Sequence, residues 1–168
     1  MTRLTMRIAA GIGAIALAGS MTACANTAST AATVGGERIT VTELNQLMEG
    51  LPETLEAHPS VVLNIKMRGL AAEQVAEERG LSDLRARAEE QLARGGVPAE
   101  LMADPEVRTL LMAEANTMAL EQEIGTGEVN QAFGRIPVTT NPRYGLVGLD
   151  QVQQLRNTSL SKPASAPQ

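Results

Sequence analysis

Aromatic side chains are scarce in this chain, which has one phenylalanine, one tyrosine and no tryptophan among its 168 residues. Hydrophobic residues still make up 43% of the sequence, so a core must be built from leucine, valine, isoleucine, alanine and methionine. A small all-β core usually depends on aromatic and β-branched side chains. The composition therefore favours a mainly α fold with a small β element.

Histidine and cysteine each occur once, at His58 and Cys24. A single histidine excludes a histidine-based metal cluster, and a serine–histidine triad would have to use His58. Because His58 precedes Pro59 at a predicted helix start, we interpret it as a solvent-facing turn residue. Gly125-Thr126-Gly127 lacks the third glycine and the preceding strand of a dinucleotide fingerprint. The sequence therefore predicts no catalytic residues, no metal, no cofactor and no enzyme activity.

Basic residues are too few for a nucleic-acid-binding protein. Lysine and arginine number 14 against 19 acids, giving a net charge of −5, whereas nucleic-acid binding needs a strongly basic patch. Most of the acids fall in residues 37–128, among them Glu77-Glu78, Glu89-Glu90, Glu121 and Glu123. We interpret these acids as solvated helix faces rather than as general acids or bases.

The first 24 residues have the pattern of an export signal. Arg3 and Arg7 precede the apolar run 8–18, which is shorter than the ~20 residues that a membrane-spanning helix needs. The sequence Met21-Thr22-Ala23-Cys24 then resembles a lipobox, in which the cysteine receives acyl chains such as palmitate and becomes the new N-terminus. An ordinary cleaved signal peptide with an unrelated cysteine is the alternative.

Four regions follow from this pattern. Residues 1–23 are predicted to be a lipoprotein signal peptide, and residues 24–30 a small polar tether behind the lipid on Cys24. Residues 31–150 form the predicted folded domain, and residues 151–168 a disordered tail rich in glutamine, serine, asparagine and proline. We expect the protein to be anchored at the extracytoplasmic face of the cell membrane.

Residues 31–51 carry the strongest local signals in the chain. Two short runs with β-branched residues flank Gly35-Gly36, and paired glycines favour a tight hairpin turn because they reach positive φ without strain. Thr40-Val41-Thr42-Glu43 has the pattern of a capping box, which opens a helix. The apolar residues that follow this cap at helical spacing are Val41, Leu44, Leu47, Met48 and Leu51.

This first helix is followed by four more in the prediction, over residues 59–79, 84–94, 105–124 and 129–136. The second helix is apolar almost all round, which indicates burial on more than one side. Gly80 fits a left-handed cap at its end. Asp104-Pro105 is a strong start signal for the fourth helix, with a capping side chain and a proline at the first helical position.

The late segment 138–145, VTTNPRYG, is the one later stretch that combines β-branched residues with a turn signal. A two-stranded hairpin is marginal alone, and a third strand supplies hydrogen-bond partners for its edge. We therefore predict that residues 138–140 pair with the hairpin 32–40 in a small sheet, against which the first and fourth helices pack. The free edge of this sheet could take an extended polypeptide by strand addition.

The order of lipobox, hairpin, helices and late NPRYG segment resembles the actinobacterial lipoproteins with a SurA N-terminal-like domain. The family's hairpin pattern V-x-G-x-x-I-T is matched at Val34, Gly36, Ile39 and Thr40. Its late pattern V-N-P-R-[YF]-G is matched at Asn141, Pro142, Arg143, Tyr144 and Gly145, with Thr140 in the place of valine. Leu149-Asp150 stands where the family has an aromatic-Asp pair, and Leu160, Ser161 and Pro163 resemble its terminal LS-x-P.

The resemblance implies a SurA N-terminal-like helical domain whose N-terminal hairpin is completed by the late strand. It also implies chaperone-like binding of unfolded or exported polypeptides. SurA-type foldases usually append parvulin prolyl-isomerase domains of about 90–100 residues, for which the chain has no room, so we expect a binding domain without an isomerase.

Candidate peptide-binding residues fall into three groups, each with a structural alternative. Methionines could line an adaptable peptide groove because thioethers repack against varied partners, or they could simply fill the core. Phe133 could anchor a client or cap the core. Arg143 and Tyr144 could hold a ligand carboxylate or stack on a peptide, or they could lock the late strand onto the hairpin. The methionines concerned are Met48, Met67, Met102, Met112 and Met118.

Two functions of different class follow. The first is a membrane-anchored, chaperone-like binder of unfolded or exported polypeptides. The alternative is a structural or regulatory envelope lipoprotein that docks one fixed protein partner. An adaptable apolar groove would favour the first function, and a flat, specific patch would favour the second.

Overall fold

The computed structural model describes residues 29–52, 57–145 and Leu149. The predicted signal peptide, the predicted lipidation site Cys24 and the predicted tail 151–168 lie outside these residues. Within them the protein is mainly helical, with a small three-stranded antiparallel sheet. No described helix combines the length and the apolar composition needed to cross a membrane.

The described part of the chain contains three strands, six α-helices and one 3₁₀ turn. They are β1 (Thr30–Val34), β2 (Glu37–Thr40), α1 (Val41–Glu49), α2 (Pro59–Glu78), α3 (Leu84–Arg94), α4 (Ala99–Ala103), α5 (Pro105–Ile124), α6 (Thr126–Phe133), β3 (Val138–Thr140) and the turn Pro142–Tyr144. Helix α4 was not indicated by the sequence pattern. Helix α6 spans 126–133 rather than the predicted 129–136, and β1 takes in Thr30, the last residue of the predicted tether.

The hairpin between β1 and β2 forms as predicted. Gly35 and Gly36 have φ values of 58° and 96°, in the region that favours glycine, and Val34 pairs with Glu37 across the turn. The end of the Gln74 side chain on α2 lies against this turn, and a Cβ at position 35 would stand 1.9 Å from its Oε1 unless that side chain moved. The turn is therefore fixed by backbone conformation and by its contact with a helix.

The late strand completes the sheet, which confirms the predicted pairing. The strand order is β2-β1-β3, with both neighbours antiparallel to β1. Val34 of β1 pairs with Val138 of β3, and the ladder continues past the strand because Gly35 donates its N–H to the carbonyl of Pro137 at 3.0 Å. The two ends of the described chain are thereby held together.

The sheet packs on α1 and α2, so the predicted choice of helices is half correct. Helix α1 follows β2 directly and contacts both hairpin strands, whereas the long helix against β1 is α2. The fourth predicted helix, now α5, packs instead on α2 and α3. Helix α2 is buried on two sides, between the sheet and α5, which explains why its sequence is apolar almost all round.

The two long helices meet without large side chains between them. Gly69 of α2 faces Ala113 of α5, and a Cβ at Gly69 would lie 2.4 Å from that of Ala113. Around this contact the core is aliphatic, as the composition predicted. Its largest fully buried side chains include Phe133, Ile39, Leu44, Leu63, Met67 and Leu120, and Leu149 belongs to the same core.

The helix boundaries follow the predicted capping signals. The hydroxyl of Thr40 accepts the N–H of Glu43 at 3.0 Å, while the Glu43 carboxylate pairs with Lys66 at 3.3 Å. Asp104 Oδ1 accepts the N–H groups of Glu106 and Val107 at the start of α5. These bonds satisfy backbone donors that a helix start otherwise leaves unpaired.

Candidate functional site

The candidate methionines differ widely in burial. Met67 is completely buried in the core, so it lies out of reach of a ligand and fills space between elements. Met48 and Met112 are half-buried and pack against that core, and Met102 is half-buried on α4. Met118 is 48% exposed on α5. Among these methionines, Met118 is the one whose side chain is substantially exposed.

Phe133 lies at the end of α6 with only 2% of its surface exposed. The guanidinium of Arg68 sits over its ring at 5.5 Å from the centroid and also binds the carboxylate of Glu121 at 3.0 Å. The ring is thus covered by an arginine that is itself held in place. This geometry fits the interpretation of Phe133 as a cap on the core.

Arg143 and Tyr144 interact with each other in the 3₁₀ turn after β3. The Arg143 guanidinium lies 4.7 Å from the centre of the Tyr144 ring and donates a hydrogen bond to its hydroxyl. The late strand is locked by their neighbour Asn141, whose N–H bonds the carbonyl of Ala31 at 2.9 Å and whose amide Nδ2 bonds that of Thr30 at 3.3 Å. Tyr144 also packs against the core, in keeping with the structural alternative predicted for it.

The sheet edges were the predicted site for strand addition. The outer strands are β2 and β3, of four and three residues. Short outer strands are poor templates for an added strand, so the sheet edges are weak candidates for the binding site.

A cleft of about 440 Å³ opens where the end of α2, the start of α3 and the middle of α5 meet. The chain turns there at Gly80, whose φ of +70° ends α2, and Leu81 donates its N–H back to the carbonyl of Ala76 at 2.8 Å. This turn belongs to the Schellman type and carries the backbone directly into α3. The residues lining the cleft are Glu73, Ala76, Glu77, Gly80, Leu81, Ser82, Leu84, Arg85 and Asn116.

The cleft combines apolar walls with acidic side chains. Ala76 and Leu84 are nearly completely buried, and Leu81 is half-buried against the core. Glu73 and Glu77 are exposed and lie one helical turn apart on α2, so their carboxylates share a face. The sequence predicted Glu77 to be part of a solvated helix face, and neither Glu73 nor Asn116 was among the predicted site residues.

Asn116 is the buried polar residue of the cleft, with 3% of its surface exposed. Its Nδ2 donates to Glu73 Oε1 at 2.9 Å. A carboxylate oxygen can only accept here, so the atom of the Asn116 amide that faces Glu73 must be the NH₂ nitrogen. The other polar atom of the amide is therefore the oxygen Oδ1. Oδ1 is buried and accepts no hydrogen bond from any described residue. A sequence signal existed, because Asn116 interrupts the apolar stripe that runs from Ala113 to Leu120.

The arginines around the cleft are occupied by other acids. Arg79 binds Glu128 at 2.7 Å, and Arg85 lies 3.6 Å from Glu89 one turn along α3. Arg87 bonds Asp83 and Glu123. The hydrogen bond between Arg87 and Asp83 holds the pKa of the Asp83 carboxyl below its ordinary value and raises the pKa of the Arg87 guanidinium.

These pairs leave the acids of the cleft unneutralised. Glu77 forms no ion pair with a described residue, and Glu73 is engaged by the neutral amide of Asn116. The arrangement can therefore accept hydrogen bonds and attract positive charge, next to walls that can pack against methylene groups.

No family model, curated protein or solved structure matches this chain. The resemblance to SurA N-terminal-like lipoproteins therefore stands on the residues that carry it in the sequence.

Proposed function

We propose that this protein is a lipid-anchored envelope protein with a SurA N-terminal-like domain that binds unfolded or exported polypeptides. The observation that supports this best is the cleft between α2, α3 and α5. Its volume of about 440 Å³ falls within the range of ligand sites, and its mixture of apolar walls and a few polar groups is typical of them. A peptide side chain with an apolar stem and a polar end suits such a cleft.

The anchor is part of the same proposal. The lipobox predicts acyl chains on Cys24, and two chains give stable attachment where a single chain is marginal. Polar residues between Cys24 and Thr30 separate the lipid from β1. The protein would then hold its clients close to the outer face of the membrane, where exported chains emerge.

A fixed protein partner is the second candidate, and the burial of the methionines favours it. Met67 lies wholly in the core, and Met118 is the one candidate methionine that is about half exposed. A surface with few flexible thioethers adapts less readily to varied sequences. A defined partner would need only one matching patch.

A client-binding assay distinguishes the two functions. The full chain, purified in detergent, is mixed with a chemically unfolded model protein, and light scattering follows aggregation after dilution of the denaturant. The chaperone-like function predicts slower aggregation at equimolar ratio. The control is the natively folded form of the same model protein, which should not be bound. Unchanged aggregation, together with one stoichiometric partner in a pull-down from envelope extract, would establish the fixed-partner function instead.

A further inference from the structure

We infer that the cleft between α2, α3 and α5 receives a basic side chain, lysine or arginine, of the bound polypeptide. This inference rests on the proposed function and names the kind of segment that the protein selects. Asn116 Oδ1, the Glu73 carboxylate and the Glu77 carboxylate are all hydrogen-bond acceptors, and all belong to residues lining the cleft. A set of acceptors with two negative charges is complemented by a cationic donor.

Asn116 distinguishes this place from an ordinary acidic surface. Solvated acids on a helix face carry no information about a ligand, but a buried acceptor without a protein partner is rare and costs stability. The bond from Nδ2 to Glu73 holds the Asn116 amide in one orientation, so the unpaired atom is an oxygen. A donor that reaches this oxygen from the cleft lies beside the Glu73 carboxylate, and the 2.9 Å bond between Glu73 and Nδ2 stays in place.

The walls of the cleft specify the rest of the ligand. A small inorganic cation would use the acceptors but would leave the partly exposed apolar side chain of Leu81 without a contact. Lysine and arginine place three or four methylene groups along apolar surface while their charged ends reach polar groups. This combination of stem and charge matches the cleft better than an acidic, a short polar or a purely apolar side chain.

The surrounding ion pairs support the same choice. Arg85 also lines the cleft, but its guanidinium lies 3.6 Å from Glu89. Arg79 and Arg87 are likewise bound to acids outside the cleft. Neither Glu73 nor Glu77 forms an ion pair with a described residue, so their charges remain available to a ligand.

The test uses the full chain in detergent and three fluorescent peptides. The peptides share one unstructured, uncharged sequence and carry lysine, norleucine or glutamate at a single central position, and fluorescence anisotropy gives the dissociation constants. We expect the lysine peptide to bind about tenfold more tightly than the norleucine peptide, since two charge contacts together are worth on the order of that factor. The preference should shrink as salt is raised, because ionic contacts at a partly open site are screened.

A charge-neutral variant provides the structural control. The double variant Glu73→Gln/Glu77→Gln keeps an acceptor oxygen for the Asn116 amide, so the bond between them survives. It should bind the lysine and norleucine peptides within about twofold of each other. The matched variant Glu49→Gln/Glu100→Gln removes two exposed acids from α1 and α4 and should keep the lysine preference.

The outcomes separate this inference from the function it rests on. Equal binding of the lysine and norleucine peptides by the unaltered protein would overturn the basic-side-chain inference and leave peptide binding intact. A lysine preference that survives in Glu73→Gln/Glu77→Gln would also overturn it, because the specificity would lie outside the cleft. Failure to bind any of the peptides or the unfolded model protein would overturn the proposed function itself.

Discussion

Gly69 of α2 lies so close to Ala113 of α5 that a Cβ at position 69 would stand 2.4 Å from the Cβ of Ala113 and 2.7 Å from its Cα. The contact is between backbones, with only one methyl group between them. It sets the separation of the two longest helices, and each helix then packs a different layer on its far side. The sheet packs against α2, and α3 packs against α5.

Replacing Gly69 with alanine should therefore destabilise the protein. A mid-helix glycine-to-alanine change gains up to about 1 kcal/mol in helix propensity, but here the new methyl group meets the backbone of Ala113, which cannot move as a side chain can. We expect a net loss of roughly 1–3 kcal/mol, the usual cost of overpacking, in the free energy of unfolding measured with urea. Gly127→Ala is the control, since nothing lies within 4 Å of its added Cβ, and an equal loss in both variants would contradict the close-contact explanation.

Removing the third strand should destabilise the whole domain. Deletion of residues 136–168 takes away β3, Asn141 and the buried Leu149, and leaves one side of β1 without hydrogen-bond partners. Deletion of residues 157–168 should hardly matter. Thermal unfolding of the two truncated proteins followed by circular dichroism gives the comparison, and similar midpoints would show that the late strand is dispensable.

Asn141 offers a finer test of how the late strand is held onto the sheet. Its side chain donates to the carbonyl of Thr30 at 3.3 Å and accepts the N–H of Arg143 at 3.2 Å. Asn141→Ala removes both bonds, and we expect a loss of about 1–2 kcal/mol in the free energy of unfolding. Arg143→Ala removes only the exposed guanidinium and should cost less; the reverse order would return the locking role to Arg143 and Tyr144.

The hairpin turn should depend on Gln74 as well as on glycine. Gly35→Ala places a methyl group at positive φ and against Oε1 of Gln74, whereas Gly36→Ala at φ 96° meets nothing within 4 Å. We expect both variants to lose about 1 kcal/mol or more from strain at positive φ, with part of the Gly35 loss coming from displacement of the Gln74 side chain. Adding Gln74→Ala should recover part of the loss only in the Gly35 variant. If the losses of Gly35→Ala and Gln74→Ala simply add in urea denaturation of the double mutant, the contact between the two positions is excluded.

The anchor prediction concerns Cys24. Replacing Cys24 with serine removes the thiol that would carry the acyl chains, and buried chains contribute about 0.8 kcal/mol per CH₂ to membrane attachment. We expect the variant either to leave the membrane fraction or to accumulate with its leader uncleaved, as read by fractionation and by mass. A variant that is processed and membrane-bound like the unaltered protein would rule out the lipoprotein interpretation.

The sequence by itself determined the local features of this fold. The glycine pair of the hairpin, the Thr40 and Asp104 caps and the stop at Gly80 were all predicted correctly, because each depends on φ preferences or on bonds within a few residues. The partner of β1 was predictable as well. One later segment combined strand-forming residues with a turn, and a hairpin needs a third strand.

Only the tertiary structure decided which faces meet. Helix α2 is apolar almost all round, so its sequence marks no preferred face, and nothing local indicated that it rather than α5 would lie on the sheet. Burial of Met67 and Phe133 and exposure of Met118 depend on neighbours distant in sequence. The cleft likewise depends on contacts between residues that are distant in sequence. Glu73 and Asn116 are 43 residues apart and become partners only because α2 and α5 pack closely, whereas a sequence pattern records spacing within one helix.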